Sequence, residues 1–168
     1  MQRMLNVARL VGVCGEIEGR KKLQKIVHIL REAGYKSEFG HQFGYLHYGP
    51  YSRELRNELD ALTEDDALIH ENQRVKGSYT AFVYSATEQL GELLRDLKLD
   101  AEPSWAGVAR ELNGRESQDL EALSTAIYLQ RLGYSGEALR TRFEKLKPSL
   151  KDRITNAVTE ADRLAAKS

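Results

Sequence analysis

A mainly α fold with a small antiparallel β element is predicted, and three observations predict it. Leucine, isoleucine, valine and alanine recur at three- and four-residue offsets through most of the 168 residues. Two short stretches, "ALIHENQRV" and "YTAFVYSAT", flank "KGS" as the strands of a hairpin would, with Gly77 in the turn. After "KLDAEPS" only helical spacing remains. The first half runs helix, helix, strand, helix, hairpin, the order of a winged helix with the hairpin as wing. The expected architecture is a winged-helix-like domain over 1–98. A helical bundle over 99–168 packs on it, and the two form one compact unit.

The elements follow in order. "MLNVARLVGVCG" places Leu5, Ala8 and Val11 on one helical face and stops near Gly12 or Gly15. "GRKKLQKIVHILREAGY" carries a stripe of Leu23, Ile26, Val27 and Leu30, with Gly34 placed to end it. In "SEFGHQFGYLHYGPYS" the residues Phe39, Phe43 and Tyr45 share a parity, which predicts a strand. Gly40 and Gly44 share the other parity, which predicts close approach of a backbone or a bulge. "YGPYS" reads as a turn: proline drives its predecessor out of the helical region, and Gly49 satisfies that constraint. Ser52 is an N-cap for a helix burying Leu55, Leu59 and Leu62. Gly77 turns the hairpin, and Thr87 caps a helix with Leu90, Leu93, Leu94 and Leu97.

Beyond "KLDAEPS", Trp105, Val108 and Leu112 mark one helix with Pro103 near its start. Leu120, Leu123 and Ile127 mark the next, capped by Ser117 and stopped by Gly133. Leu139, Phe143 and Leu146 mark a third, ended by Pro148. Ser149 caps the last, with Leu150, Ile154, Ala157, Val158, Ala161 and Leu164 inward.

Composition narrows the function classes. Lysine plus arginine number 25 and aspartate plus glutamate 25, so the net charge is zero and the basic excess of a strong nonspecific polyanion binder is absent. One cysteine, Cys14, cannot form an internal disulfide; its apolar neighbours predict an inert packed thiol. No apolar run approaches the ~20 residues of a membrane span. The N-terminal residues do not read as a signal peptide, so no membrane contact and a cytoplasmic location are expected. Phosphate-binding glycine loops, zinc spacings and nucleophile elbows are absent from the sequence. His41 and His47 share the predicted strand face, but ~20 Å of rise separates them, too far for one metal. The chain is therefore read as a non-enzyme with no cofactor and no metal.

Two segments are candidates for recognition. Arg20, Lys21, Lys22, Lys25 and Arg31 occur without an intervening acid, and Lys21, Lys25, His28 and Glu32 lie opposite the apolar stripe. That face is either solvated or binds phosphates or an acidic partner. In a winged helix the reading element is the helix after Ser52, where Arg53, Arg56 and Asn57 suit base or phosphate contacts. Six acids (Glu54, Glu58, Asp60, Glu64, Asp65 and Asp66) accompany its two arginines and would repel phosphate; Arg74 and Lys76 at the wing tip offset this slightly.

At "RKKLQKIVHI" and "YGPYSRELRNELDALTEDDAL" the chain resembles the bacterial YwgA-like family and, more distantly, the Panacea (SocA-like) antitoxin domain. The shared features are the "KLQK" helix, Lys22 to Lys25, and the aromatic turn Tyr48, Gly49, Pro50. "SQDLEALSTAIYL" also resembles the "LE-x-x-S-T" helix of YwgA-like proteins. The YwgA-like resemblance covers most of the chain, the Panacea resemblance roughly its first half. The chain differs from the latter in the long connection between its motifs and in the tyrosine after the proline. The Panacea resemblance implies a neutralising or adaptor module acting by protein–protein contact.

The function expected is a non-catalytic regulatory or protein-interaction module docking a protein partner. Its contact surface is expected at Arg20, Lys21, Lys25 and His28, with Tyr48, Tyr51, Arg53 and Arg56 beside it. Basic groups would steer an acidic partner while tyrosines supply rigid contact area; the competing reading packs both tyrosines into the helix–strand corner. The runner-up is a winged-helix DNA-binding regulator, dimeric in one version, and the third reading is an enzyme assembled from scattered polar residues.

Overall fold

The computed structural model describes residues 1–46 and 49–167. Among them are eight α-helices and two small antiparallel sheets, so the chain is mainly α with a small β element. In the first half α1 (Gln2–Cys14) leads through β1 (Glu16–Glu18) into α2 (Arg20–Glu32). Next come β2 (Gly44–Leu46), β3 (Gly49–Tyr51) and α3 (Arg53–Thr63). The hairpin β4 (Ile69–Lys76) and β5 (Tyr79–Ala86) and the helix α4 (Glu88–Asp96) complete that half. The second half holds α5 (Ala106–Asn113), α6 (Ser117–Arg131), α7 (Gly136–Leu146) and α8 (Ile154–Lys167).

Local chemistry explains most boundaries. The Ser52 side chain accepts from Leu55 N at 3.2 Å and the Thr87 side chain from Leu90 N at 3.2 Å, so both expected caps form. Ser117 does not cap; it is the first residue of α6, and Glu116 holds the cap position. Pro148 opens a 3-10 turn over Pro148–Arg153 before α8 begins, because its ring suits a first turn and donates nothing there.

The β4–β5 hairpin forms in the expected place, with Lys76 opposite Tyr79 across the Gly77 turn. It joins β1 in the order β1-β5-β4. The strand expected across 37–46 is much shorter. Only Gly44–Leu46 is strand; Phe39, fully buried, sits in a turn closed by Phe39 N donating to Tyr35 O at 2.9 Å. Two-residue spacing of aromatics also fits a turn that drops anchors into a core. The expected turn at Gly49-Pro50 is itself strand: Tyr45 pairs with Pro50 and Leu46 with Gly49. Proline is tolerated because this pair has free edges. Gly49 has φ +108°, a conformation that favours glycine.

One hydrophobic cluster runs through both halves, from Val7 and Leu10 to Phe143 and Ala161. α2 lies near its centre: every residue from Leu23 to Leu30 is buried. It packs on α5, α6 and β3. No helix of the described residues is long and apolar enough to cross a membrane.

Candidate functional site

Two neighbouring features hold the residues singled out in the sequence: a polar seam between α2 and α6, and a groove beside it. The seam is built on one face of α2. Lys25 pairs with Glu121 (Nζ to Oε2, 3.9 Å), the His28 ring Nδ1 hydrogen-bonds the Ser124 hydroxyl at 2.7 Å, and Glu32 pairs with Arg131. The three rungs ascend together in both helices, so α2 and α6 run parallel. Lys25, His28 and Glu32 are each under a tenth exposed. The expectation of an open face there is therefore corrected for Lys25 and His28: α6 covers His28, and Lys25 is buried between α6 and the inner side of the groove.

The electrostatics follow from burial. Burial pushes the Lys25 ammonium down; Glu121 opposes this, while Lys147 and Lys21 add to it. Burial would raise the Glu32 carboxyl, but the Arg131 hydrogen bond and the charges of Arg31 and Arg131 hold it below the usual carboxylate range. The His28 ring is pushed down to about 4; burial is the main cause, Glu32 opposes it, and Arg31 and Arg131 reinforce it. The unfolded chain takes up this proton near pH 6.5 while the folded chain resists until about 4. The stability His28 contributes is thus complete above about pH 6.5 and falls as pH drops towards 4, by on the order of 3 kcal/mol. Urea unfolding at a series of pH values should show this slope, and His28→Asn should flatten it; a wild-type stability unchanged between about pH 6.5 and 5 contradicts the assignment.

Gln24 fastens the other motif. Its Nε2 donates to Ser52 O at 2.9 Å, and Ser52 N donates to its Oε1 at 2.8 Å. A buried side-chain amide thus completes the backbone where β3 turns into α3. Gln24→Ala is expected to cost about 2 kcal/mol in urea unfolding, since it strands a buried N–H and a buried C=O.

The groove, about 400 Å³, lies between the start of α2, the hairpin β2–β3 and α3. Leu23, Leu55, Leu59, Pro50 and Leu46 form its walls, and Arg20, Lys21, Lys25, Tyr51, Arg56 and Asp60 its polar lining. Leu46 is an exposed large apolar side chain, 52% accessible.

Five of the eight residues expected at a contact surface, Arg20, Lys21, Lys25, Tyr51 and Arg56, therefore come together in this groove. Arg53 is exposed on α3 but does not line it. His28 is in the seam, and Tyr48 lies outside the described residues. Arg20 is tethered rather than loose: its Nε donates to the Tyr84 hydroxyl at 2.9 Å, its guanidinium pairs with Glu71, and it sits 4.2 Å over the Phe82 ring. Leu46, Pro50 and Asp60 were not singled out by the sequence as surface groups. Leu23, Leu55 and Leu59 were legible only as core residues.

Two further expectations change. Glu58 of α3 turns inward, and Glu54, still 42% exposed, is tied at the surface. Arg3 donates to Glu58 Oε2 at 2.9 Å and to Glu54 Oε2 at 3.2 Å, Gln42 N donates to Glu54 Oε1 at 2.7 Å, and His41 pairs with Glu58. His41 is thus buried against a carboxylate and is not on a strand; His47 lies outside the described residues. At the wing, Arg74 meets Glu16 at 2.7 Å and Lys76 meets Glu18 at 2.7 Å. Cys14 behaves as expected: burial pushes its thiol up to about 11, against Arg110 and Lys22.

Fold and site together define a mainly α protein in which a seam of buried charge joins two halves beside an apolar-walled, basic-rimmed groove. Over 118 residues the chain is 36% identical to the uncharacterized protein YwgA of Bacillus subtilis (strain 168), a match spanning 70% of this chain and 69% of that protein. The chain belongs to the YwgA-like family. No protein-family model matches it.

Proposed function

We propose that this chain is a non-catalytic interaction module. It docks a protein partner in the groove between α2, β2–β3 and α3, and acts as a regulator or antitoxin-like adaptor. The observation that carries this reading is the composition of the groove among the described residues: leucine and proline walls, a half-buried tyrosine, and Arg20, Lys21, Lys25 and Arg56 with Asp60 as the one acid in the lining, Arg20 and Lys25 being paired with Glu71 and Glu121 behind it. Apolar walls with an aromatic and an arginine are the materials of an interface hot spot, and the basic rim steers an acidic partner. The Panacea resemblance of the first half supports a neutralising role. The test is co-purification of tagged chain from cells of its source. Leu46→Asp with Arg56→Glu, both exposed positions, should leave thermal stability unchanged and reduce partner recovery at least about tenfold. Equal recovery sinks the groove as the docking site.

A second reading, DNA binding by a winged-helix-like first half, is favoured by one observation. With Glu58 turned inward against Arg3 and His41 and the partly exposed Glu54 tied to Arg3 and Gln42, the exposed start of α3 presents Arg53, Arg56 and Asn57. The sheet order β1-β5-β4 with its hairpin suits that fold. Against it stand exposed Asp60 and the acids Glu64 to Asp66, and wing cations already paired with Glu16 and Glu18. A low-salt gel shift abolished by Arg53→Glu with Arg56→Glu would move the assignment to DNA.

A further inference from the structure

The groove ends at a buried group with an unfinished environment. Lys25 both lines the groove and forms the first rung of the seam, and it shares its one acidic neighbour with a second buried lysine. Lys147, 7% exposed, hydrogen-bonds Glu121 Oε1 directly. Lys25, 5% exposed, stands 3.9 Å from Oε2, beyond hydrogen-bond length. Two ammonium groups thus face one carboxylate, and the carboxylate is committed to Lys147. One helical turn further along α6, the Thr125 hydroxyl is fully buried. It faces the Tyr45 hydroxyl, with which it interacts, and neither oxygen has a further hydrogen-bond partner among the described residues. Thr125 packs behind the groove-lining strand at Gly49, where a Cβ would sit 3.7 Å from its Oγ1. A buried excess of positive charge, here two lysines on one carboxylate, is costly unless a further anion completes it.

We propose that the inner end of the groove is a carboxylate-selective subsite, in which an aspartate or glutamate side chain of the docked partner seats against Lys25, with the Thr125 and Tyr45 hydroxyls as neighbouring donors. This rests on the groove being the docking site and adds the chemistry the partner must carry: an acid set among apolar residues that meet the leucine walls. Charge complementarity gives the sign: among the described residues that line the groove Asp60 is the one acid, while Lys25 shares Glu121 with Lys147 and Arg56 stands exposed at the rim.

The test is selection of a displayed library of random dodecapeptides on the purified chain, with Leu46→Asp/Arg56→Glu protein as the counter-screen for groove binders. Groove-specific peptides should share an aspartate or glutamate at one fixed position flanked by apolar residues. In a synthetic peptide, changing that acid to its amide should weaken binding at least about tenfold, and Lys25→Met should abolish the difference between acid and amide. Groove-specific peptides without a fixed acid, or an amide that binds as well as the acid, overturn the subsite and leave the groove standing. Absence of any peptide sensitive to the counter-screen overturns both. Should Lys25→Met fail to fold, the acid–amide comparison on the wild type decides alone.

Discussion

Glu121→Ala is expected to destabilise the chain by roughly 2–4 kcal/mol, far more than removal of either lysine that it serves. The asymmetry follows from the charge count. Without Glu121, two buried ammonium groups face each other with no carboxylate between them, and each keeps its desolvation cost. Without Lys25, Glu121 still has Lys147, so Lys25→Met should be near neutral and could stabilise by relieving the positive excess. Glu121 is 22% exposed, which places its loss below that of a fully sealed ion pair. Urea unfolding of both variants checks the pattern; equal losses would show that Lys25 and Lys147 do not depend on one carboxylate.

Trp105→Ala is expected to cost about 3–5 kcal/mol. The indole is 1% exposed and meets the fully buried Phe39 ring edge-on, with centroids 5.1 Å apart. Trp105 opens α5, while Phe39 hangs from the turn after α2, so this contact ties the second half to the first. Phe39→Ala should cost a similar amount, and the double variant less than the two losses added, because each single change already removes the shared contact. Val75→Ala on the wing, 78% exposed, is the control and should move stability by no more than about 0.5 kcal/mol.

Much of the frame was legible because short-range chemistry sets it. The stripe of Leu23, Ile26, Val27 and Leu30 declares a helix by spacing alone. Ser52 and Thr87 declare caps because a side-chain oxygen is needed where backbone N–H groups have no helical partner. Gly40 was informative, since a Cβ there would come within 3.1 Å of the Lys36 carbonyl oxygen, but Gly44, expected to share that close approach, has nothing within 4 Å. What the sequence could not show is where polar faces find their partners. Lys25, His28 and Glu32 look like a solvated or docking face, since a helical wheel separates polar from apolar without saying what meets the polar side. Their partners stand 96 residues away at Ser124 and 99 away at Arg131.

A signal for that pairing was present, though not in the helix itself. The "KLQK" and "LE-x-x-S-T" motifs supply Lys25 and Glu121, the two ends of one rung, and Gly49 of the aromatic turn packs near Thr125 of the second motif. The motifs that carry the family resemblance thus meet in one place. The groove was half legible: its cations and Tyr51 were singled out, while Leu55 and Leu59, correctly read as core, also back its floor.

The most direct test of the docking groove is hydrogen–deuterium exchange of the chain alone and bound to the protein it co-purifies with. Slower exchange is predicted in the first turns of α2 and across β3 into α3, over residues 20–25 and 49–60, with the β4–β5 hairpin unchanged. Protection confined to β4–β5 or to α7 and α8, with residues 20–25 and 49–60 exchanging as in the free chain, would contradict it.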